Sequence, residues 1–117
     1  MTADSWPRQG EIYHVFTPGQ PGDPHQPRPA LVVSENIRNR RSDDVTVVPI
    51  FSRGRHGPTH VAIRAGVGGI AHDSVIFCEE ITTIHKDFIV GGPLGTPVPD
   101  VLLADVIDAI LAALGAG

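Results

Sequence analysis

The length, composition and charge of this chain exclude several classes of protein. Its 117 residues, 41% of them hydrophobic, suit one domain over residues 1–117 with a single buried core. Nine basic against 13 acidic residues leave a net charge of -4, so bulk positive charge cannot hold a nucleic acid. The single cysteine, Cys78, excludes an internal disulfide, and no apolar stretch is typical of an export signal or a membrane span. We therefore expect a cytoplasmic protein with no membrane partner.

The basic residues are concentrated in the first half of the chain. Residues 1–64 contain eight arginines and six acidic residues, whereas residues 65–117 contain only Lys86 against seven acidic residues. Six of the arginines are Arg38, Arg40, Arg41, Arg53, Arg55 and Arg64. The planar guanidinium group suits bidentate contacts with phosphate, so a local polyanion site is one interpretation. A solvated surface of ion pairs with nearby carboxylates is an equally good one.

The first predicted elements are a strand and a long loop. Residues 11–16 alternate between polar and apolar side chains, which predicts a strand. Residues 17–29 contain five prolines and two glycines, which exclude a helix and a regular sheet ladder. Loops of this length inside a compact domain are usually functional or mobile, so we expect an exposed loop of that kind.

Two β-branched runs, at residues 30–34 and 45–51, predict core strands. The arginine-rich residues 35–44 between them are polar and predict a basic connection. Pro49 cannot donate a ladder hydrogen bond, which predicts that its strand lies at a sheet edge, bulges or ends there.

Three shorter strands are predicted at residues 60–64, 73–78 and 80–84. The glycines between the first two match no phosphate-loop spacing and predict a turn at Gly66, Gly68 and Gly69. On a strand, the adjacent Glu79 and Glu80 would point to opposite faces. One carboxylate would then lie in the interior or in a cleft, unless the strand is at an edge and both are solvated.

Residues 100–114 predict the only helix, with Pro99 at its first position and Gly115 as its C-terminal cap. Its three aspartates fall within an arc of about 140°, and most of the remaining circumference is apolar. A stripe this wide predicts two packing partners, the sheet on one side and a second copy of the protein on another.

The histidines and the cysteine do not predict a metal or redox site. His56 and His60 are four residues apart, but Gly57 and Pro58 exclude the helix that would place both on one face. Cys78 lies in an apolar run, which favours a buried small side chain over a nucleophile. We therefore expect no metal and no other cofactor.

Six short motifs resemble, in order and spacing, the MazF/PemK family of toxin ribonucleases. They are RPALVVS (residues 28–34), NR (39–40), VVPI (47–50), PTHV (58–61), DSV (73–75) and E-x-I-x-T-I (79–84). The likeness runs from GEIY at residues 10–13 through the predicted helix, so it covers nearly the whole chain. It implies an α+β, mainly β fold: an SH3-like barrel of bent antiparallel strands with a C-terminal helix, assembled as a homodimer.

The resemblance also implies an activity and its partners. Family members cleave single-stranded RNA at selected sequences without a metal, through attack of the substrate's 2′-hydroxyl, which leaves a cyclic phosphate and a 5′-hydroxyl end. A cognate antitoxin with a disordered segment holds such toxins inactive. The family's catalytic arginine precedes the proline of the first motif, where Arg28 matches it. From the resemblance and from the departures described below, we expect catalysis by Arg28, Ser52 and Glu79 and substrate contacts by His25, Phe51, Arg53, Arg55, His60 and Thr83.

Departures from the family pattern bear on how active the protein is. Phe51 stands where the family usually has threonine, and Thr82 and His85 replace its arginine and aspartate. Residues 21–27 replace a glycine-rich loop and bring in His25, a candidate acid or base. Phe51 either removes a hydrogen bond to the phosphate or provides a stacking platform for a base. The first interpretation predicts a slow ribonuclease that Phe51→Thr accelerates, and the second predicts that Phe51→Thr weakens RNA binding.

A non-catalytic protein on the same barrel is the alternative that Phe51 and Thr82 favour. Such a protein would be a poison of the gyrase-directed CcdB type, or a degenerate homologue that binds RNA or antitoxin without cutting. The presence of Arg28, Ser52 and Glu79 favours the enzyme. Whether Arg38, Arg40 and Arg41 contact RNA is not decided by the sequence.

Overall fold

The fold is a bent antiparallel sheet with a helix at the C-terminal end of the chain. A computed structural model describes residues 5–17 and 26–116. Within these residues the strands are β1 (Ile12–Val15), β2 (Arg28–Val32), β3 (Asp44–Phe51), β4 (His60–Ile63), β5 (Ser74–Phe77), β6 (Thr82–His85) and β7 (Ile89–Gly91). The helices are α1 (Asn36–Arg41) and α2 (Asp100–Ala113). Short 3₁₀ turns cover Val67–Gly69, Cys78–Glu80 and Lys86–Phe88.

The strand β3 is the centre of the sheet. The strand order is β4-β5-β3-β2-β1-β7, and β6 also pairs with β3. Every pairing is antiparallel. The mainly β architecture with a C-terminal helix that the motifs imply is thus confirmed.

Pro49 does not mark a sheet edge, so that part of its prediction is wrong. On one side of β3, Pro49 pairs with Ala30 of β2. On the other side, β6 pairs with β3 as far as Val47 and β5 takes over at Ile50. Pro49 therefore lies where β3 changes partner. A residue without an N–H is tolerated at such a position, because the sheet ladder does not need its hydrogen bond there.

The sheet is buried on both faces, so there are two apolar clusters where the sequence predicted one core. Leu31 and Ile50 belong to the cluster that α2 covers with Val106 and Ile110. The alternate residues of β2 and β3 belong to the second cluster, which consists of Tyr13, Val15, Ala30, Val32, Val45, Val47 and Ile84. Because side chains alternate along a strand, burial on both faces requires the unbroken apolar runs of the sequence.

Several predicted boundaries shift. The arginine-rich connection contains α1, because Glu35 accepts from the N–H of Arg38 (2.8 Å) and the buried Asn39 amide donates to the Ser34 carbonyl (2.7 Å). The strand β2 begins at Arg28, inside the predicted loop, and residues 18–25 of that loop lie outside the described residues. Glu79 and Glu80 are in a 3₁₀ turn and not on a strand.

The C-terminal helix is close to its prediction. Gly115 follows the helix with φ +73° and its N–H bonds the carbonyl of Ala112, which confirms it as the C-terminal cap. Pro99 is the N-cap and not the first helical residue. In the part of the chain that the structure describes, neither helix is long and apolar enough to cross a membrane.

Candidate functional site

An open groove of about 850 Å³ lies beside the first residue of β2 and the end of β3. We call it the Arg28 groove. It is lined by His14, Arg28, Pro29, Ile50, Phe51, Ser52, Arg53, Gly69, Ile70, Ala71, His72, Ser74 and Leu94. No carboxylate is among these described lining residues, although the whole chain carries a net charge of -4. The charged side chains among these lining residues are therefore cationic.

Arg28 is a buried cation at the edge of this groove. It is only 7% exposed, and its guanidinium carbon lies 3.9 Å from the centre of the Phe51 ring. The antiparallel register pairs Ala30 of β2 with Pro49 of β3. Two residues further towards the start of β2 and the end of β3, the same register places Arg28 opposite Phe51. The aromatic ring attracts the cation, and stacking on the ring fixes the orientation of the planar guanidinium group.

The Phe51 ring begins a row of ring contacts that crosses the sheet. Its centre is 4.4 Å from that of Phe77, and Phe77 stacks on His60 with centres 4.2 Å apart. The row therefore runs through β3, β5 and β4 and starts from Arg28 on β2. The loop after β3 passes over it at Gly54, where an added Cβ would lie 2.6 Å from the Phe77 ring.

His60 at the end of this row is held by two acceptors. Its Nδ1 lies 2.6 Å from the Arg55 carbonyl oxygen, and its Nε2 lies 2.7 Å from a carboxylate oxygen of Glu79. Both acceptors require an N–H, so the arrangement suits the imidazolium form. The Arg55 carbonyl, and after it the Glu79 carboxylate, raise the pKa of His60 above its ordinary value.

Of the candidate site residues that the sequence predicts, some line the Arg28 groove and others lie outside it. Arg28, Phe51, Ser52 and Arg53 line the groove together. Glu79 and His60 pair with each other outside it, and the exposed Arg55 contributes its carbonyl to that pair. Thr83 lies on β6, its hydroxyl 2.9 Å from that of Thr46, and does not line the groove. His25 is outside the described residues.

Two groove residues, His14 and His72, are missed by the sequence analysis. His14 on β1 pairs with Pro29, the residue after Arg28. His72 precedes β5, and its carbonyl accepts from the Ser74 hydroxyl at 2.8 Å. Neither lies at a recognisable motif position. The antiparallel pairing of β1 with β2 is the signal that could have placed His14 near this end of β2.

Gly69 builds one wall of the groove. Its φ is +88°, and an added Cβ would lie 2.2 Å from the carbonyl oxygen of Leu94. The turn predicted for the glycine cluster is confirmed, since all three glycines have positive φ. Because Gly69 and Leu94 both line the groove, this backbone contact sets the position of its wall.

Cys78 and the histidines form no metal or redox centre in the described residues. Cys78 is fully buried, and burial raises the pKa of its thiol to about 12, which confirms its role as a small packing residue. No group of three or more His, Cys, Asp or Glu side chains converges as a metal site in residues 5–17 and 26–116.

The fold and the cationic groove define a small, mainly β protein with a C-terminal helix, and comparison with known proteins identifies the family. The family of PemK-like, MazF-like toxins of type II toxin–antitoxin systems matches residues 8–115. Endoribonuclease EndoA of Bacillus subtilis is 35% identical over 82 residues, which are 68% of this chain and 71% of that protein. The chain therefore belongs to the PemK-like, MazF-like toxin family.

Solved structures agree with this assignment. MazF from Deinococcus radiodurans has a TM-score of 0.78 at 25% identity and covers 96% of this chain and 99% of its own. An endoribonuclease from a mycobacterial species, solved in complex with its cognate antitoxin, has a TM-score of 0.76 at 25% identity and covers 95% of this chain and 97% of its own. The family and the mainly β fold with a C-terminal helix that the sequence motifs imply are confirmed.

Proposed function

We propose that this protein is an endoribonuclease toxin that cleaves single-stranded RNA in the Arg28 groove, at selected sequences and without a metal. The observation that carries the proposal is the groove's charge. Two arginines and two histidines line it, and none of its described lining residues is acidic, in a chain with net charge -4. A phosphate backbone is attracted to such a groove and repelled by much of the remaining surface. We infer that the protein acts in the cytoplasm, where such an RNA substrate is found.

The groove residues have separate tasks in the reaction. The substrate's 2′-oxygen attacks the adjacent phosphorus, and negative charge builds on the phosphate oxygens. Arg28 is held against Phe51, so it meets that charge without reorganising, and Ser52 adds a hydroxyl donor. The exposed Arg53 and Arg55 contact neighbouring phosphates, and a longer RNA extends across the sheet surface to Thr83.

Glu79 and His60 act on the reaction through Phe77. Glu79 holds His60, His60 stacks on Phe77, and Phe77 supports the Phe51 ring under Arg28. These contacts make Glu79 and His60 positioning residues for Arg28. His25, in the loop before β2, is a further candidate for substrate contact.

The protein works as a homodimer that a cognate antitoxin inactivates. Leu111 of α2 and Leu114, the C-cap that follows it, are 38% and 68% exposed, and with Ile107 they form a stripe beside the buried face of the helix. A second copy that covers this stripe removes it from water. The related mycobacterial endoribonuclease in complex with its cognate antitoxin supports an antitoxin partner here.

The test is cleavage of a long RNA in EDTA, followed by labelling of new 5′-hydroxyl ends. Wild-type protein is expected to give discrete fragments, and Arg28→Ala to lower the single-turnover rate by about 10²- to 10³-fold in a protein that is still folded. Lys86→Ala, which removes one positive charge outside the groove, is the matched control and should cleave normally. Binding of RNA without any fragments would contradict the enzyme and support the non-catalytic alternative.

A further inference from the structure

The proposed cleavage requires two proton transfers, and this inference rests on that proposed function. When the bond from the 2′-oxygen to phosphorus forms, the 2′-oxygen must lose its proton. When the bond from phosphorus to the 5′-oxygen breaks, the 5′-oxygen must gain one. The two transfers balance, so no oxidant or reductant is needed, but one group must accept a proton and another must donate one.

The residues assigned so far cannot supply both groups. The Arg28 guanidinium stays protonated and accepts no proton. The Ser52 hydroxyl is not a base without a partner that takes its proton. Glu79 is outside the Arg28 groove, and its carboxylate accepts a hydrogen bond from His60. No other carboxylate lines the groove in the described part of the chain.

Two imidazoles line the same groove as Arg28 and Ser52. Pairing of β1 with β2 places His14, which is half-buried, across from Pro29, and both His14 and Arg28 line the groove. His72 is exposed, in the short segment between the Val67–Gly69 turn and β5, with its backbone held by the Ser74 hydroxyl. Imidazole is the side chain that both accepts and donates protons near neutral pH.

We propose that His14 and His72 are the acid–base pair of the Arg28 groove. One imidazole accepts the proton of the attacking 2′-hydroxyl, and the imidazolium of the other donates a proton to the departing 5′-oxygen. Arg28 stabilises the phosphate charge between these two events. Exchange with water at the exposed His72 and through the open groove restores both histidines for the next substrate.

A substrate with sulfur in place of the 5′-bridging oxygen tests the pair. The cut site is first mapped on a long RNA, and a short oligonucleotide containing it is made with oxygen or with sulfur at that position. Sulfur departs as a thiolate and needs no proton, so loss of the general acid no longer slows the reaction. Loss of the general base slows both substrates, because the 2′-hydroxyl is unchanged.

His14→Ala and His72→Ala are each expected to slow single-turnover cleavage of the oxygen substrate by about 10²- to 10⁴-fold. One of the two variants should recover to near the wild-type rate on the sulfur substrate, and the other should not. Asp105→Ala, at an exposed position of α2 outside the groove, is the control and should cleave both substrates normally.

Three outcomes would overturn the assignment. Variants slowed by less than about tenfold on the oxygen substrate would exclude a proton-transfer role. Equal slowing of both variants on both substrates would show that the histidines bind or hold the groove and move no proton to the leaving group. If wild-type protein makes no 5′-hydroxyl ends at all, the proposed function fails, and the pair fails with it.

Discussion

The Arg28 guanidinium contacts the ring of Phe51. Phe51 stands at the position where the family pattern has a hydroxyl side chain. From the family pattern alone, Phe51 has two possible roles: it removes a hydrogen bond to the phosphate, or it provides a platform for a base. The structure supports a third, in which the ring holds Arg28 at 3.9 Å. The strand register that brings β2 against β3 produces this contact, and residue order alone does not reveal it.

Phe51→Thr is accordingly expected to slow cleavage, although it restores the family's hydroxyl. Loss of the cation–π contact costs about 1 to 2 kcal/mol, or about tenfold in single-turnover rate. Phe51→Tyr keeps the ring and should retain most of the activity. Faster cleavage by Phe51→Thr would instead support the missing hydroxyl as the limiting factor.

The pairing of His60 with Glu79 makes part of the folding stability depend on pH. The pKa of His60 is raised in the folded state, so its contribution is fully present below the ordinary histidine pKa and is lost as the pH rises through the folded value. The difference in unfolding free energy between wild type and His60→Gln should therefore be larger at about pH 5.5 than at about pH 9. Urea unfolding at the two pH values measures it. A difference that is the same at both would show that the imidazolium is not the form that stabilises the fold.

A site residue can be predicted from the sequence when it lies within or next to a recognisable motif. Arg28, Phe51, Ser52 and Arg53 lie at or beside recognisable motifs, and all four line the groove. His14 and His72 reach it through the pairing of β1 with β2 and through the path of the chain into β5. Their positions depend on long-range register, which single residues do not encode.

At the scale of the elements, alanine substitutions of two glycines test how tightly the turn at Val67–Gly69 packs against Leu94. Gly69→Ala would place a Cβ 2.2 Å from the Leu94 carbonyl oxygen at a φ of +88°. Gly66 has a similar φ of +93° with open space around it, so Gly66→Ala carries the conformational cost alone. We expect Gly66→Ala to lower the unfolding free energy by about 1 to 2 kcal/mol and Gly69→Ala by about 1 to 3 kcal/mol more.

Urea unfolding of the two glycine variants measures the difference, and RNA affinity provides a second readout. Gly69→Ala should also weaken binding of a non-cleavable RNA, because the wall of the groove moves. Equal losses of stability in the two variants would contradict a tight contact between Gly69 and Leu94.

The elements that the sequence missed are those without an apolar pattern. The helix α1 depends on side-chain hydrogen bonds of Glu35 and Asn39 to the backbone and not on an apolar face. The strand β7 is three residues long at the edge of the sheet. By contrast, β2, β3 and α2 bury regular apolar surfaces, and their predictions were close.

At the scale of the whole molecule, the exposed stripe on α2 predicts a dimer. Light scattering should give about twice the chain mass of 12.4 kDa at micromolar concentration. Leu111→Glu places a charge in the stripe and should shift the protein towards the monomer. Ile37→Glu, at an equally apolar but separate site on α1 that is 62% exposed, is the control and should remain dimeric. A wild-type protein that is strictly monomeric would leave the stripe without a partner and contradict the prediction.

The central position of β3 has a consequence for the order in which the site is completed during synthesis. Arg28 and Phe51 lie in the first half of the chain, but β5 and β6, which complete the pairing of β3, follow residue 73. His72 and the wall residue Leu94 are also made late. Because a chain is translated from its N-terminus, a partly made toxin holds the arginine without the groove around it. The ribosome is therefore not exposed to a working RNA-cutting site until translation of the toxin is nearly finished.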